Sequence, residues 1–119
     1  MTLPRLKTYS GENGFIYQYY FLESQTKRKF WGRGGTAFLF HVTSDGKKYF
    51  VTEVLVEDAA LRAWERVHGR ALVEQERYAA AKMALFRAFD ESGGNEDLLN
   101  VRVSETNIES LLEPLGLGE

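Results

Sequence analysis

The chain has no cysteine and only two histidines among its 119 residues. Without cysteine there are no disulfide bonds, no thiol nucleophile, no iron–sulfur ligation and no zinc site built on cysteine. No His-Glu-x-x-His pattern or other paired histidine–carboxylate spacing is present either. These absences predict a protein with no metal site and no cofactor.

Long apolar runs are also missing. The first ten residues, MTLPRLKTYS, lack the apolar stretch of a signal peptide, and no window is long enough to span a membrane. The composition is typical of a small bacterial domain, and the lack of cysteine fits a reducing compartment. We therefore expect a cytoplasmic protein with no membrane contact.

The residues that are present suit one globular domain over residues 1–119. Hydrophobic residues make up 44% of the chain and charged residues 27%, which is ordinary for a folded protein. A chain of this length buries roughly two-thirds of its unfolded surface, so a core can form without a metal or a disulfide. The net charge is −2, but residues 90–119 carry eight acidic and one basic side chain, a pattern typical of a solvated surface.

Two turn signals divide the first half of the chain into hairpins. Asn13-Gly14 separates a short predicted strand, roughly residues 5–9, from a long one at Phe15–Glu23. Asp45-Gly46 separates the two arms of GTAFLFHVTSDGKKYFVTEVLV, residues 35–56, which are rich in β-branched and aromatic side chains. Neighbouring strands joined by short turns predict an antiparallel meander.

The spacing of apolar residues then changes from strand to helix periodicity. Asp58 is placed to cap a first helix, and Gly69 is placed to end it. A second helix is predicted over residues 71–91, with Gly93 and Gly94 stopping it. Its broad apolar stripe is suited to covering one face of the sheet.

A further strand and a short helix complete the predicted fold. Leu99–Val103 alternates apolar and polar residues, as a half-buried strand does. Thr106 and Glu109 fit a capping box for a helix that Pro114 should stop after about two turns. The predicted fold class is α+β: an antiparallel meander of three to four strands followed by two helices, a further strand and a short C-terminal helix.

The stretch TKRKFWGRGGT, residues 26–36, resembles a binding site more than any other part of the chain. Within it, Gly32–Ala37 matches the dinucleotide pattern G-x-G-x-x-[G/A]. That pattern needs a following helix whose N-terminus points backbone N–H groups at pyrophosphate, whereas the alternating strand FLFHVT follows here. No Walker pattern occurs in the chain either, so nucleotide binding is not predicted.

The same stretch fits a loop that binds single-stranded nucleic acid. Cations would contact phosphates and aromatic rings would stack on bases, using Lys27, Arg28, Lys29, Phe30, Trp31 and Arg33. A single Gly-Arg-Gly-Gly is not an array, however, and the chain is acidic overall. The alternative is a solvated hairpin loop whose two rings pack back onto the sheet.

Few residues are candidates for catalysis. His41 and His68 fit surface or helix-capping roles. Glu53 lies mid-strand, where a covered carboxylate would serve as an acid–base group, but a cross-strand ion pair with Lys47 or Lys48 is the simpler interpretation.

The aromatic residues of the long strand suggest a partner-binding face. Tyr17 and Tyr19, with Tyr20, Trp31 and Trp64, are of the types favoured at interfaces, although they also suit the core of a small domain. Both faces of that strand are aromatic and the helices can cover only one, so we expect an exposed apolar face. Such a face is typical of a protein that binds a partner or forms a homodimer.

Three functional hypotheses remain open. The favoured one is a non-catalytic protein-interaction module that self-associates, with a protein partner preferred over nucleic acid. The second is a single-stranded nucleic-acid binder using the loop at residues 26–36. The third is a small-ligand or hydrolytic pocket between sheet and helices.

Overall fold

The structure, a computed structural model, describes residues 5–28, 34–92 and 100–117. Its elements in chain order are β1 (Lys7–Ser10), β2 (Ile16–Lys27), β3 (Gly35–Thr43), β4 (Phe50–Glu57), α1 (Asp58–His68), α2 (Glu74–Glu91), β5 (Asn100–Val103) and α3 (Ile108–Leu112), followed by a 3-10 turn at Glu113–Leu115. This is the predicted order, and the predicted α+β class is confirmed.

The five described strands form one sheet in the order β1-β2-β3-β4-β5. The first four strands pair antiparallel, as a meander does. β5 pairs parallel with β4, with Val54 opposite Val101 and Val56 opposite Val103. Parallel neighbours need a crossover connection, and here α1 and α2 supply it.

Both predicted turns form between the strands. Gly14 and Gly46 have φ of 89° and 76°, the left-handed region that glycine adopts without strain. The Asp45 carboxylate accepts hydrogen bonds from the backbone N–H groups of Lys48 and Lys47 at 2.9 and 2.8 Å, and these bonds lower the pKa of Asp45. β2 runs to Lys27 rather than ending near Glu23, because pairing with β3 continues through its polar second half.

The helices pack on one face of the sheet and bury its aromatic side chains. Tyr17 stacks on Phe89 of α2 with ring centroids 4.3 Å apart, and Phe40 is fully buried in the same core. The largest fully buried side chains are Trp64, Tyr17, Phe40, Phe89, Leu85, Ile108, Leu111, Leu112, Val42, Val54 and Val56. The strand residues in this core alternate along β3 and β4, so they share one face.

The ends of α1 and α2 differ in part from the sequence prediction. Gly69 ends α1 with φ of 74°, as predicted. Asp58 does not cap α1: Glu57 occupies the N-cap position without a side-chain cap, and Asp58 lies in the first turn. α2 begins at Glu74 and ends at Glu91, while Gly93 and Gly94 lie outside the described residues.

The predicted capping box of α3 is wrong. The N-cap residue is Asn107, whose Oδ1 accepts from the Ser104 N–H at 2.7 Å and whose amide donates to the Arg102 carbonyl at 2.9 Å. These two bonds hold the turn, and the Thr106 hydroxyl instead bonds the Ser104 hydroxyl at 2.8 Å. Pro114 lies in the 3-10 turn that follows α3, which agrees with its predicted role as a stop.

The first hairpin is attached to the last turn of α2. The Asp90 carboxylate accepts hydrogen bonds from the Tyr9 hydroxyl and the Glu12 N–H, each at 3.0 Å. The Asn13 amide donates to the Phe89 carbonyl at 3.0 Å and also contacts the Ser92 carbonyl. Burial, reinforced by the bond to Asp90, raises the pKa of Tyr9 to about 12.

The Tyr9 contact predicts a loss of stability at high pH. A tyrosine whose pKa is higher in the folded state than its ordinary 10.0 stabilises the fold fully below pH 10. This contribution is lost as pH rises towards about 12. We expect the melting temperature of Tyr9→Phe to fall less than that of the wild type over this range, measured by circular dichroism. Parallel curves for the two proteins would contradict the assignment.

Candidate interaction surface

Two of the six predicted loop residues lie within the described chain. Lys27 ends β2, and its Nζ is 3.7 Å from Glu53 Oε1 on β4. Arg28 follows it and is exposed. The other four residues of the predicted nucleic-acid loop lie outside the described residues: Lys29, Phe30, Trp31 and Arg33. Glu53 therefore pairs with Lys27 rather than with the Lys47 or Lys48 expected from the sequence.

The glycine pair at the end of the loop lies where three strands approach closely. β3 begins at Gly35, so a strand and not a helix follows the glycines. A Cβ on Gly35 would lie 2.4 Å from the Val56 carbonyl oxygen, and one on Gly34 would lie 2.8 Å from the Lys27 carbonyl oxygen. The Gly34 carbonyl also accepts a hydrogen bond from the Asp58 N–H at 3.0 Å. These contacts give the glycines a packing role.

Tyr17 and Tyr19, which we expected on a partner-binding face, lie in the core. Their exposed fractions are 0% and 4%, because Phe86 and Phe89 of α2 pack against them. Trp64 is also buried and stacks on the His68 ring with centroids 4.1 Å apart. The helices thus cover the face that carries Tyr17 and Tyr19, and among the described residues the opposite face is the exposed one.

We call that opposite surface the open face. The pairings place Tyr20, His41 and Val51 side by side across β2, β3 and β4. The Tyr20 hydroxyl is hydrogen bonded to His41 Nδ1, and the Tyr49 ring lies 5.0 Å from the His41 ring. Tyr20, His41, Tyr49 and Val51 form what we term the open-face cluster. Tyr49 is 38% exposed and Val51 is 45% exposed.

Charged residues on the other half of the open face form ion pairs. Lys27 pairs with Glu53, and Arg102 Nη1 lies 3.6 Å from Glu57 Oε2. Leu55 stands between the two glutamates along β4 and is 6% exposed. Each of these two cations therefore faces a carboxylate.

The outer edge of β2 is a second uncovered feature. β1 pairs with Ile16–Tyr19 only, so the rest of β2 has a neighbouring strand only on the β3 side within the described part of the chain. A groove of about 600 Å³ lies beside this edge, lined by Phe21, Ser24, Phe38, Glu74, Gln75 and Tyr78. Phe21 is 39% exposed there and packs edge-on against Tyr78 with centroids 5.2 Å apart.

Lys82 lies close to the core on the helix side. Its Nζ is 5.9, 5.8 and 5.7 Å from the ring centroids of Tyr19, Tyr78 and Phe86. Burial, with a smaller effect of Lys7, lowers the pKa of Lys82. Burial also raises the pKa values of Tyr19 and Tyr78. Aromatic rings that hold the ammonium explain a half-buried lysine in this helix.

Neither of two grooves formed by the described residues contains a predicted acid–base group. Besides the groove beside β2, a groove of about 520 Å³ lies between the first hairpin and the end of α2, lined by Tyr9, Glu12, Met83, Phe86, Arg87, Asp90, Glu91 and Leu111. Glu53 and His41 line neither of them, because both lie on the open face. Within residues 5–28, 34–92 and 100–117, no group of three metal-ligating side chains could hold a metal ion. None of the helices described is long and apolar enough to cross a membrane.

The sequence did not single out Tyr49 and Val51 as surface candidates. The sequence does show that Tyr49 and Val51 alternate with Phe50 and Thr52. In an extended strand this alternation places Tyr49 and Val51 on the face opposite to Phe50 and Thr52. That alternation separates the two faces but does not say which face the helices cover. The sequence did not indicate that the edge of β2 would be exposed, because this exposure depends on the length of β1.

The close approach at Gly35 predicts that its replacement destabilises the protein. Gly35→Ala would place a methyl group against the Val56 carbonyl, and relieving this overlap should cost about 1–3 kcal/mol of unfolding free energy. Urea unfolding measures the change. Thr36→Ala on the same strand is the matched control, since it removes atoms instead of adding them. An unchanged unfolding midpoint for Gly35→Ala would show that β3 and β4 separate without cost.

No protein-family model, curated protein or solved structure matches the chain.

Proposed function

We propose that this protein is a non-catalytic protein-interaction module that associates with a second copy of itself. The observation that supports this is the one-sided covering of the sheet. The helices pack against the Tyr17 face, while the open face exposes Ile16 at 58%, Val51 at 45% and Tyr49 at 38%. Contiguous apolar side chains on a protein surface are typical of contact sites.

The open-face cluster has the chemistry of a protein contact surface. Tyrosine combines a large apolar ring with a hydroxyl, and it loses little conformational freedom when it is buried in an interface. The hydrogen bond between Tyr20 and His41 and the packing of Tyr49 on His41 hold three rings in place. A preorganised aromatic surface binds a partner with a smaller entropic cost than a mobile one.

The charges of the open face favour protein over a polyanion. Binding to phosphates draws on unpaired cations, whereas Lys27 and Arg102 each face a carboxylate. A surface whose charges are balanced can also approach its own copy without net repulsion. These two points support self-association as the favoured form of protein contact.

Self-association predicts a molar mass of twice 13.6 kDa. The measurement is light scattering coupled to size exclusion, with sedimentation velocity over a wide concentration series. Val67 is 70% exposed on α1, away from the sheet, so Val67→Lys is a surface control that should leave the mass unchanged. A wild-type protein that stays monomeric at every concentration would overturn the proposal.

A further inference from the structure

The outer edge of β2 has a regular part that is five residues long. Pairing of β2 with β3 is interrupted between Phe21 and Glu23, where Leu22 is the extra residue of a bulge. From Glu23 to Lys27 the register with β3 is continuous. Along its other side this segment has no neighbouring strand among the described residues, so alternate backbone N–H and C=O groups point outwards without a strand to pair with.

We propose that two copies of this chain pair antiparallel along Glu23–Lys27, with the two-fold axis passing through Gln25. This inference rests on the self-association proposed above and locates the contact at the edge of β2 rather than on the open face. The two five-stranded sheets would join edge to edge into one continuous sheet. The two-fold axis is normal to the sheet, so the helices of both copies lie on the same side and the two open faces form one surface.

The side chains of the segment are complementary to themselves in this register. Gln25 faces the partner's Gln25, Ser24 faces the partner's Thr26, and Glu23 faces the partner's Lys27. Amide thus meets amide, hydroxyl meets hydroxyl and carboxylate meets ammonium, at Cβ separations of about 4.5–5.5 Å. Symmetry produces each of the last two contacts twice, so the interface contains two ion pairs and no opposed like charges.

Neighbouring registers lack this complementarity. An axis through Ser24 puts Glu23 opposite the partner's Gln25 and leaves Lys27 beyond the regular segment. An axis through Glu23 puts two carboxylates opposite each other, which is unfavourable. Only the axis through Gln25 uses all five residues of the regular edge.

The side chains of Glu23 and Gln25 lie on one face of the strand. Gln25 Nε2 donates to Glu23 Oε1 at 2.7 Å, so the two side chains lie on the same face. The Lys27 side chain is 38% exposed and reaches Glu53 on β4, so in the dimer its ammonium would turn to the outer edge to meet the partner's Glu23. Exposed ion pairs add little affinity, so the backbone ladder supplies the association and the ion pairs select the register.

A charge-swap experiment tests the register. Glu23→Lys and Lys27→Glu each oppose two pairs of like charges in a homodimer, and each should weaken dimerisation by about tenfold or more. In an equimolar mixture of the two variants, a heterodimer regains two opposite-charge pairs, so the dimer should reappear. The double variant Glu23→Lys/Lys27→Glu should also dimerise like the wild type. Sedimentation velocity measures all four samples.

Matched controls carry the same charge changes away from the edge. Glu65→Lys on α1 and Lys48→Glu in the second turn are exposed positions that should leave the dimer unchanged. Circular dichroism establishes that each edge variant is folded. Single variants that weaken the dimer without recovery in the mixture would overturn the register.

A variant on the open face distinguishes edge-to-edge pairing from self-association through the open face. Val51→Lys changes the open-face cluster but not the edge, so an edge-paired dimer should persist. If Val51→Lys dissociates the dimer while the edge variants do not, the copies meet face to face, which overturns this inference and leaves self-association standing. A monomeric wild type would overturn both.

Discussion

One connection determines which side of the sheet is covered. β4 and β5 are parallel neighbours, so the chain between them has to cross over the sheet, and it does so as α1 and α2. A single crossover passes on one side only, and α3 joins the same helical layer through its buried residues. Aromatic side chains on that side become core, and those on the other side stay exposed. The core and the open face both follow from this asymmetry, whereas the exposed edge of β2 follows from the shortness of β1.

Much of this architecture can be predicted from local sequence signals. Asn13-Gly14 and Asp45-Gly46 mark the two hairpin loops, and the change from a period of two to a period of 3.6 after Glu57 marks the start of the helices. The parallel pairing of β5 with β4 could not be predicted in this way, because it depends on where Asn100–Val103 returns to the sheet. Likewise, the N-cap of α3 is Asn107 rather than Thr106. The Asn107 amide donates to the Arg102 carbonyl, a contact that spacing alone does not specify.

The sequence predicts that one face of the sheet stays exposed, but it does not predict which face. Aromatic residues on both faces of β2 predicted that one face would stay exposed, yet alternation cannot say whether Tyr19 or Tyr20 lies under α2. Only tertiary packing distinguishes two faces of similar hydrophobicity. The same limit applies to Gly34 and Gly35: a glycine that permits a sharp turn and one that lets another strand approach look identical in sequence.

The bond between Tyr9 and Asp90 joins residues 81 positions apart, and this separation matters during synthesis. The first hairpin leaves the ribosome well before α2, because chains emerge from the N-terminus onwards. Until Asp90 has emerged, Tyr9 and the Glu12 N–H lack their acceptor, and the hairpin can close on itself but cannot dock. The last turn of α2 sets the moment at which the first strand acquires its tertiary contact.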